Sequence, residues 1–283
     1  MKVFQEQLAG HFGQALTVDE VLHRSRTRFQ EVLVFRNRVF GKVLALDGVI
    51  QTTELDNQIY HEMIAHLPLV AHGAAERVLV VGGGDGGVLK EILKHPVSEV
   101  VLAELDGEVI DLCREFLPEV SGGSFDDARV TVVLGDASEY VDEARAAFDV
   151  IVVDSTDPVG PGERLFDERF YARCKALLKP DGIVAVQSGT AFFQGVELEI
   201  LRARLERAFG AARPYLAPVP TYAGGMLALI AATSTEARLR PPPEVLRARL
   251  AAIGAQTRYY SPDVHAAAFG LAPAFDRAPA RTA

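Results

Sequence analysis

The spacing of apolar residues changes near residue 56 and divides the chain into two parts. Before that point, apolar and polar positions alternate in short runs, which predicts strands. The Asp47–Gly48 pair is typical of a type I′ turn between two of them, whereas the first 25 residues have only a weak pattern and are expected to begin with a strand or turn. We therefore predict a small antiparallel β domain over residues 1–55, with one face packed on the larger domain or on another subunit. Its predicted strands cover residues 29–35, 39–46 and 49–53.

After residue 56 the pattern predicts a helix that Pro68 ends or kinks, and then strands in regular alternation with helices. This order is typical of a Rossmann-like, doubly wound, mostly parallel sheet, here over residues 56–283. Two further strands, near 214–217 and 226–231, are close enough to form a terminal antiparallel hairpin, and a last helix begins at the prolines 241–243. The predicted strands of the alternation are 77–81, 99–104, 129–134, 148–153 and 182–187, and the helices 86–95, 107–117, 137–144, 167–178 and 195–209.

Two carboxylates end the apolar strand before residue 154. Asp154 and Asp157 are followed by a loop rich in proline and glycine. Ligands of open parallel sheets bind just outside the carboxyl ends of the strands, so both acids should face the crevice. They favour a cationic ligand there, although Asp and Pro are also common in turns that bind nothing.

A glycine-rich turn follows the first strand of the alternation. Gly82, Gly84 and Gly87 fit a dinucleotide-binding pattern, and Glu104 ends the next strand, where it can accept hydrogen bonds from ribose. Asp85 within the turn would repel a pyrophosphate, which argues against NAD and favours a ligand amine. The alternative for Asp85 is a helix cap.

Asp136 and Ala137 follow the third strand of the alternation. Asp136 either accepts from an adenine amino group or caps the helix that begins at Ala137. No metal site is predicted, since the carboxylates have no third ligand cluster. His61 and His66 are five residues apart, which places them on different faces of a helix.

Composition narrows the class of protein. The chain has 283 residues, is 49% hydrophobic and has a net charge of −9, which argues against nucleic acid as a partner. Its apolar runs are short and its N-terminus lacks the features of a signal peptide, so we expect no membrane span and no export. Two cysteines, Cys113 and Cys174, in helix-like patterns fit reduced thiols and a cytoplasmic protein.

Taken together, these motifs resemble the spermidine synthase (polyamine aminopropyltransferase) family over roughly residues 24–275. The resemblance implies an N-terminal β domain and a catalytic domain of the class I S-adenosylmethionine-dependent transferase type, in a homodimer or homotetramer. It also implies an enzyme that transfers the aminopropyl group of decarboxylated S-adenosylmethionine to a diamine, leaving methylthioadenosine, with no permanently bound cofactor. The segments that carry it are 46–54, 60–63, 82–87, 154–161, 220–222 and 258–269.

The resemblance also assigns residues. Asp154 would take the proton from the attacking amine, Asp85 would bind the aminopropyl amine, and Glu104 the ribose. The chain departs from the family pattern at Asn57–Ile59 and Ala223 and contains no Trp. The residues implied for the co-substrate are Gln30, Gly82, Gly84, Asp85, Glu104, Asp136 and Ala137. Those implied for the acceptor amine are Gln51, Tyr60, His61, Asp85, Asp154, Asp157, Pro161 and Tyr222.

Other activities remain open at the level of sequence. A methyltransferase would use the same sulfonium chemistry, but Asp85 would disfavour the carboxylate of ordinary S-adenosylmethionine. A non-catalytic polyamine- or nucleoside-binding protein is a further alternative. Putrescine is the expected acceptor, with cadaverine, agmatine and longer polyamines open. We also expect the loop over residues 157–164 to close over the amines.

Overall fold

The computed structural model describes residues 2–8, 12–145, 147–155 and 160–271. In its N-terminal part, a hairpin of two antiparallel strands stands beside an antiparallel sheet ordered β3-β4-β5-β6. Asp47 and Gly48 have φ angles of +46° and +80°, as the predicted type I′ turn requires. The strands are β1 (Lys2–Leu8), β2 (Phe12–Val18), β3 (Glu20–Arg26), β4 (Glu31–Asn37), β5 (Gly41–Leu46) and β6 (Val49–Thr53).

The larger part contains a mixed sheet with helices on both faces. Its strands are β7 (Arg77–Gly82), β8 (Glu99–Glu104), β9 (Val130–Leu134), β10 (Phe148–Asp154), β11 (Leu178–Thr190), β12 (Ala211–Ala217) and β13 (Leu227–Thr233). Its helices are α1 (Asn57–His72), α2 (Gly87–Ile92), α3 (Gly107–Phe116), α4 (Pro118–Ser121), α5 (Ala137–Glu143), α6 (Glu168–Leu177), α7 (Gly195–Phe209), α8 (Pro243–Ile253) and α9 (Pro262–Leu271). Short 3₁₀ helices cover Ser124–Asp126, Gly160–Phe166 and Glu236–Arg238.

The order of the strands confirms the predicted fold class. Within the described residues the sheet runs β12-β13-β11-β10-β7-β8-β9, and β11, β10, β7, β8 and β9 are parallel. The predicted terminal hairpin is present, but β13 also pairs antiparallel with β11, so the hairpin extends the large sheet.

The central strands are apolar throughout because both faces of the sheet are covered. Val78 and Val80 of β7 lie in the core on the side of α1 and α2, whereas Leu79 and Val81 lie in the core on the side of α6 and α7. The same alternation continues in β10. A strand buried on both faces has no polar period, which explains the continuous valine and isoleucine runs.

Both faces of the N-terminal sheet are covered as well. Val34 and Leu44 pack against α3, through Val109 and Cys113, as expected for contact with the larger part. On the other face Phe35 packs in a cluster with Phe4 and Leu16 of the β1-β2 hairpin. The hairpin therefore shields the face that the larger part does not reach.

The sequence prediction was incomplete at three places. Residues 2–8, 12–18 and 20–26 form strands, the first in agreement with the strand or turn expected at the start of the chain. The others were left unassigned, and most side chains of β3 are exposed or half-buried and give no clean alternation. Of the two alternatives for Pro68, an end of the helix is excluded: α1 continues to His72, because its buried side packs against α2, β10 and β11. The prediction stopped at α8 and missed α9.

Candidate active site

The carboxyl ends of β7 and β10 form the crevice of the large sheet. Asp154, the last residue of β10, pairs with Gly82, the last residue of β7. The chain runs outward from β7 to β9 and then returns to place β10 on the other side of β7. In open sheets of this kind ligands bind where the strand order reverses. The structure thus places Asp154 at the expected position.

The glycine-rich turn after β7 lies between two carboxylates. Gly82 has a φ of +76°, and a Cβ on it would collide with the carbonyl oxygen of Asp154, so only glycine fits. A Cβ on Gly83 would lie 3.1 Å from Asp154 Oδ2, and a Cβ on Gly84 would lie 3.1 Å from Glu104 Oε2. The backbone of the turn is therefore open where the two acids approach it.

Asp154 is oriented by a tyrosine from α1. The hydroxyl of Tyr60 donates a hydrogen bond to Asp154 Oδ1. Burial and then the charge of Asp85 raise the pKa of Asp154 to about 6, although the bond from Tyr60 lowers it. Burial also raises the pKa of Tyr60 well above its ordinary value, so this hydroxyl remains a donor. Asp154 is consequently ionised at neutral pH but binds a proton more readily than an ordinary aspartate.

Tyr222 forms a second wall beside Tyr60. The two rings meet edge to face, with centroids 6.0 Å apart and an interplanar angle of 82°. The Tyr222 hydroxyl donates to the backbone oxygen of Gln51 at 2.6 Å. The side-chain amide of Gln51 donates to Val49 O at 3.1 Å, so Gln51 contacts Tyr222 through its backbone.

Asp85 is paired with His61. Gly87 N donates to Asp85 Oδ1 at 2.8 Å, and His61 Nε2 lies 3.1 Å from Asp85 Oδ2. Burial acts to raise the pKa of Asp85, but His61 outweighs it and the net shift is downward. Burial likewise acts to lower the pKa of His61, but Asp85 reverses this and raises it. Asp85 thus bonds to the backbone of the first residue of α2, although Gly86 is the N-cap residue of this helix, and it keeps a negative charge at the crevice.

Glu104 and Gln30 are connected through a buried aspartate. Gln30 Nε2 donates to Asp106 Oδ2 at 3.0 Å, and Asp106 N donates to Glu104 Oε1 at 2.9 Å. Burial raises the pKa of Glu104 to about 7. Two residues implied for the co-substrate, one from each part of the chain, are therefore brought together.

Asp136 serves as a helix cap in the structure. Its Oδ1 accepts from Ser138 N at 2.8 Å and from Ser138 Oγ at 2.7 Å, at the start of α5. Arg164 lies 3.6 Å from Asp136 Oδ2. Of the two roles predicted for Asp136, capping is thus realised. Ala137 is buried.

Asp157 and the side chain of Pro161 lie outside the described part of the chain.

His61 and His66 have different partners, as their spacing predicts. His66 Nε2 lies 2.8 Å from Glu91 Oε2, and His66 Nδ1 lies 2.8 Å from His95 Nε2. Among the described residues no group of three or more His, Cys, Asp or Glu side chains is arranged to hold a metal ion.

Several residues at the site were not identified from the sequence. Asp56 accepts from Thr221, Asp106 accepts from Thr27, and Asn57 Oδ1 lies 3.4 Å from His61 Nδ1. For Asp56 and Asp106 the signal in the sequence was their position just before helices, which indicates a cap and not a link between distant segments. Thr221 lies within the segment 220–222 that carries the family resemblance, but its link to Asp56 could not be inferred from it.

Family models match both parts of the chain. A model described as spermine/spermidine synthase domain matches residues 57–240, and one described as spermidine synthase tetramerisation domain matches residues 2–54. The chain belongs to the spermidine synthase family. The resemblance inferred from the motifs is confirmed.

Relatives in this family cover nearly the whole chain. Polyamine aminopropyltransferase 1 of Pseudomonas aeruginosa is 47% identical over 272 residues, which are 96% of this chain and 95% of the relative. Polyamine aminopropyltransferase of Ruegeria sp. is 49% identical over 268 residues, or 94% of each chain. This chain is therefore an aminopropyltransferase. Of the activities considered from the sequence, the comparisons support aminopropyl transfer.

Solved structures agree over the same extent. A spermidine synthase in complex with the transition state analogue AdoDATO has a TM-score of 0.92 and 36% identity, covering 98% of this chain and 94% of that one. Spermidine synthase from Thermotoga maritima has a TM-score of 0.88 and 35% identity, and the match covers 95% of this chain and 91% of that one. Within the described residues, every helix is too short or too polar to cross a membrane.

Proposed function

We propose that this chain transfers the aminopropyl group of decarboxylated S-adenosylmethionine to putrescine, giving spermidine and methylthioadenosine. The observation that carries the proposal is the Tyr60–Asp154 hydrogen bond at the reversal of strand order, beside a turn that holds Asp85. A carboxylate oriented by a neutral donor suits an amine nucleophile. The name of the similar spermidine synthases supports putrescine, of which spermidine is the aminopropyl derivative.

The co-substrate would occupy the crevice from Glu104 to Asp85. Glu104 and Gln30 would contact the nucleoside, and the ammonium of the aminopropyl group would meet the charge of Asp85. Ordinary S-adenosylmethionine carries a carboxylate beside this amine, which Asp85 would repel. The pair of Asp85 with His61, at 3.1 Å, supports this selection because it keeps Asp85 ionised.

In the reaction, the amine nitrogen forms a bond to the carbon next to the sulfonium while the carbon–sulfur bond breaks. Methylthioadenosine leaves, and the amine loses a proton to Asp154. An alkylamine with a pKa near 10.4 needs about 4.6 kcal/mol to be neutral at pH 7. The pKa of Asp154 of about 6 narrows the gap between base and amine by about 2 units compared with an ordinary aspartate, or about 3 kcal/mol.

The remaining roles follow from the family resemblance. Asp136 and Ala137 would lie along the adenine, in addition to the capping role of Asp136. The diamine would contact Gln51, Tyr60, His61, Asp157, Pro161 and Tyr222. The edge-to-face rings of Tyr60 and Tyr222 support an apolar wall for the carbon chain between the two amines.

Incubating the purified protein with each adenosyl donor and a panel of amines tests the proposal. Decarboxylated S-adenosylmethionine with putrescine should give spermidine and equimolar methylthioadenosine by mass spectrometry. If cadaverine, agmatine or spermidine is turned over faster than putrescine, that amine is the preferred acceptor and the assignment of putrescine is wrong. Product formed only from ordinary S-adenosylmethionine would overturn the choice of donor.

We also propose that the chain acts as a homodimer or homotetramer in the cytoplasm. The match of residues 2–54 to a tetramerisation domain supports self-association, and the two buried free cysteines fit a reducing compartment. Light scattering of the purified protein gives the number of subunits, and fractionation of the source cells gives the compartment.

A further inference from the structure

Two buried aspartates connect the N-terminal part of the chain to the site, one at each end of it. Asp56 is 3% exposed and Asp106 is 2% exposed. Each accepts a 2.6 Å hydrogen bond from a threonine hydroxyl of the N-terminal part, Thr53 and Thr27 respectively. A buried carboxylate is stable only when its oxygens are fully bonded, so each link fixes the segments that it joins.

Asp56 holds the segment that carries Tyr222. Its Oδ2 accepts from Thr221 N at 2.9 Å, and its two oxygens accept from the Thr221 hydroxyl at 2.9 and 2.7 Å. Gln14 donates to Thr221 O at 2.6 Å from the other side. The backbone next to Tyr222 is therefore tied down on both sides.

The contacts continue from there to the reacting groups. The ring of Tyr222 meets that of Tyr60, whose hydroxyl bonds to Asp154. Asp56 itself directly precedes α1, the helix that carries Tyr60. The Asp56 carboxylate thus joins the segment that carries Tyr222 to the chain just before the helix that carries Tyr60.

Asp106 makes a similar set of bonds at the end of the site that holds Gln30 and Glu104. Its Oδ2 accepts from Gln30 Nε2 at 3.0 Å, and its backbone N donates to Glu104 Oε1 at 2.9 Å. Its Oδ1 accepts from Glu108 N at 3.2 Å, at the start of α3. These bonds fix Gln30 and Glu104 and do not involve the tyrosines.

We propose that Asp56 and Asp106 are separate positioning residues, Asp56 for the acceptor amine and Asp106 for the adenosyl co-substrate. Neither is catalytic, since each acts through its neighbours. The inference rests on the proposed division of the site into an amine end and a nucleoside end. It makes the N-terminal part a component of both halves of the active site.

A variant of either link should weaken the binding of one ligand and leave the other unchanged. Asp56→Asn keeps the shape but weakens the bonds to Thr221, so the KM for the amine should rise about tenfold to a hundredfold. The Kd of methylthioadenosine, measured by calorimetry without turnover, should stay within about twofold. Asp106→Asn should raise that Kd about tenfold and leave the KM for the amine within about twofold.

Threonine variants repeat the test without removing a charge. Thr221→Val and Thr27→Val delete one hydroxyl each and should follow Asp56→Asn and Asp106→Asn respectively, even where an Asp variant does not fold. Thermal unfolding of each variant identifies those that fold. If folded variants of both links lose affinity for both ligands equally, or for neither, the inference is wrong.

The acceptor in this experiment is whichever amine of the panel the unmodified protein uses. No product from any amine would contradict the proposed function. If the unmodified protein forms product but the variants do not weaken the amine and methylthioadenosine selectively, only the assignment of Asp56 and Asp106 is contradicted.

Discussion

Asp154 combines a raised proton affinity with a fixed orientation. Asp154→Asn keeps the acceptor oxygen for Tyr60 but removes the base, so kcat should fall by about 10²–10⁴. Steady-state rates of methylthioadenosine release measure this. The Kd of methylthioadenosine should hardly change. Asp142→Asn, at an exposed ion pair on α5, is the matched control and should keep its rate. Near-normal turnover of Asp154→Asn would remove Asp154 from the role of base.

Tyr60 adjusts the pKa of Asp154, and the pH profile should record it. The pKa of Asp154 is about 6, and its hydrogen bond from Tyr60 lowers it. In Tyr60→Phe that pKa rises, so the acidic limb of kcat/KM against pH should move to higher pH. The loss of rate should be larger at pH 6 than at pH 9. An acidic limb that stays in place would show that Asp154 is not the group that titrates.

The sequence indicated individual site residues better than their connections. Asp85, Glu104 and Asp154 could be recognised because each ends a strand or lies in a glycine-rich turn beside one. The partners of Asp56 and Asp106 could not be recognised. Thr221 is 165 positions from Asp56, and Gln30 is 76 positions from Asp106. Such pairs are formed by the tertiary fold and leave no local pattern.

At the scale of elements, the turn after β7 depends on space as well as on backbone angle. Gly82 and Gly123 have nearly equal φ angles, +76° and +77°. A Cβ on Gly82 would strike the backbone of Asp154, whereas a Cβ on Gly123 would meet nothing within 4 Å. Gly123→Ala should therefore cost about 1–2 kcal/mol, from strain alone.

Gly82→Ala adds a collision to the same strain. It should cost several kcal/mol more than Gly123→Ala and displace the end of β10, with loss of activity. Denaturant unfolding compares the two variants. Equal losses of stability would mean that the contact between the ends of β7 and β10 can relax.

The elements whose bounds were predicted correctly have a regular local pattern of apolar residues. β8 and α7 have the predicted bounds. β8 is a short apolar run buried on both faces, and the buried residues of α7, Leu201, Leu205 and Phe209, recur at helical spacing. The bounds of β1 to β3 could not be assigned, since much of their surface is open to solvent. Packing against neighbouring elements, which the sequence does not display locally, carries α1 past Pro68.

For the whole molecule, the site acids should lower stability at alkaline pH. The folded-state pKa values of Asp154 and Glu104, about 6 and about 7, lie above those of the unfolded chain. Such groups stabilise the fold fully below the pKa of the unfolded chain, about 4, and this contribution is lost progressively as pH rises from there through the folded-state values of about 6 and about 7.

Replacing either acid by its neutral amide should remove this loss of stability. Glu104→Gln and Asp154→Asn should each be more stable than the unmodified protein at pH 8, by about 1–3 kcal/mol, and no more stable at pH 4. Urea unfolding at the two pH values measures this. Asp142→Asn provides the surface control. A gain of equal size at both pH values would contradict the electrostatic explanation.

The two free cysteines offer a record of how the molecule opens. Cys113 lies in the contact between α3 and the N-terminal sheet, and Cys174, on α6, points into the core of the larger part. Burial raises the pKa of both thiols, so neither reacts with an alkylating reagent while covered. Alkylation of Cys113 should therefore report detachment of the N-terminal sheet, and alkylation of Cys174 should report unfolding of the catalytic core. Faster labelling of Cys113 in native buffer would show that the two parts separate before either unfolds.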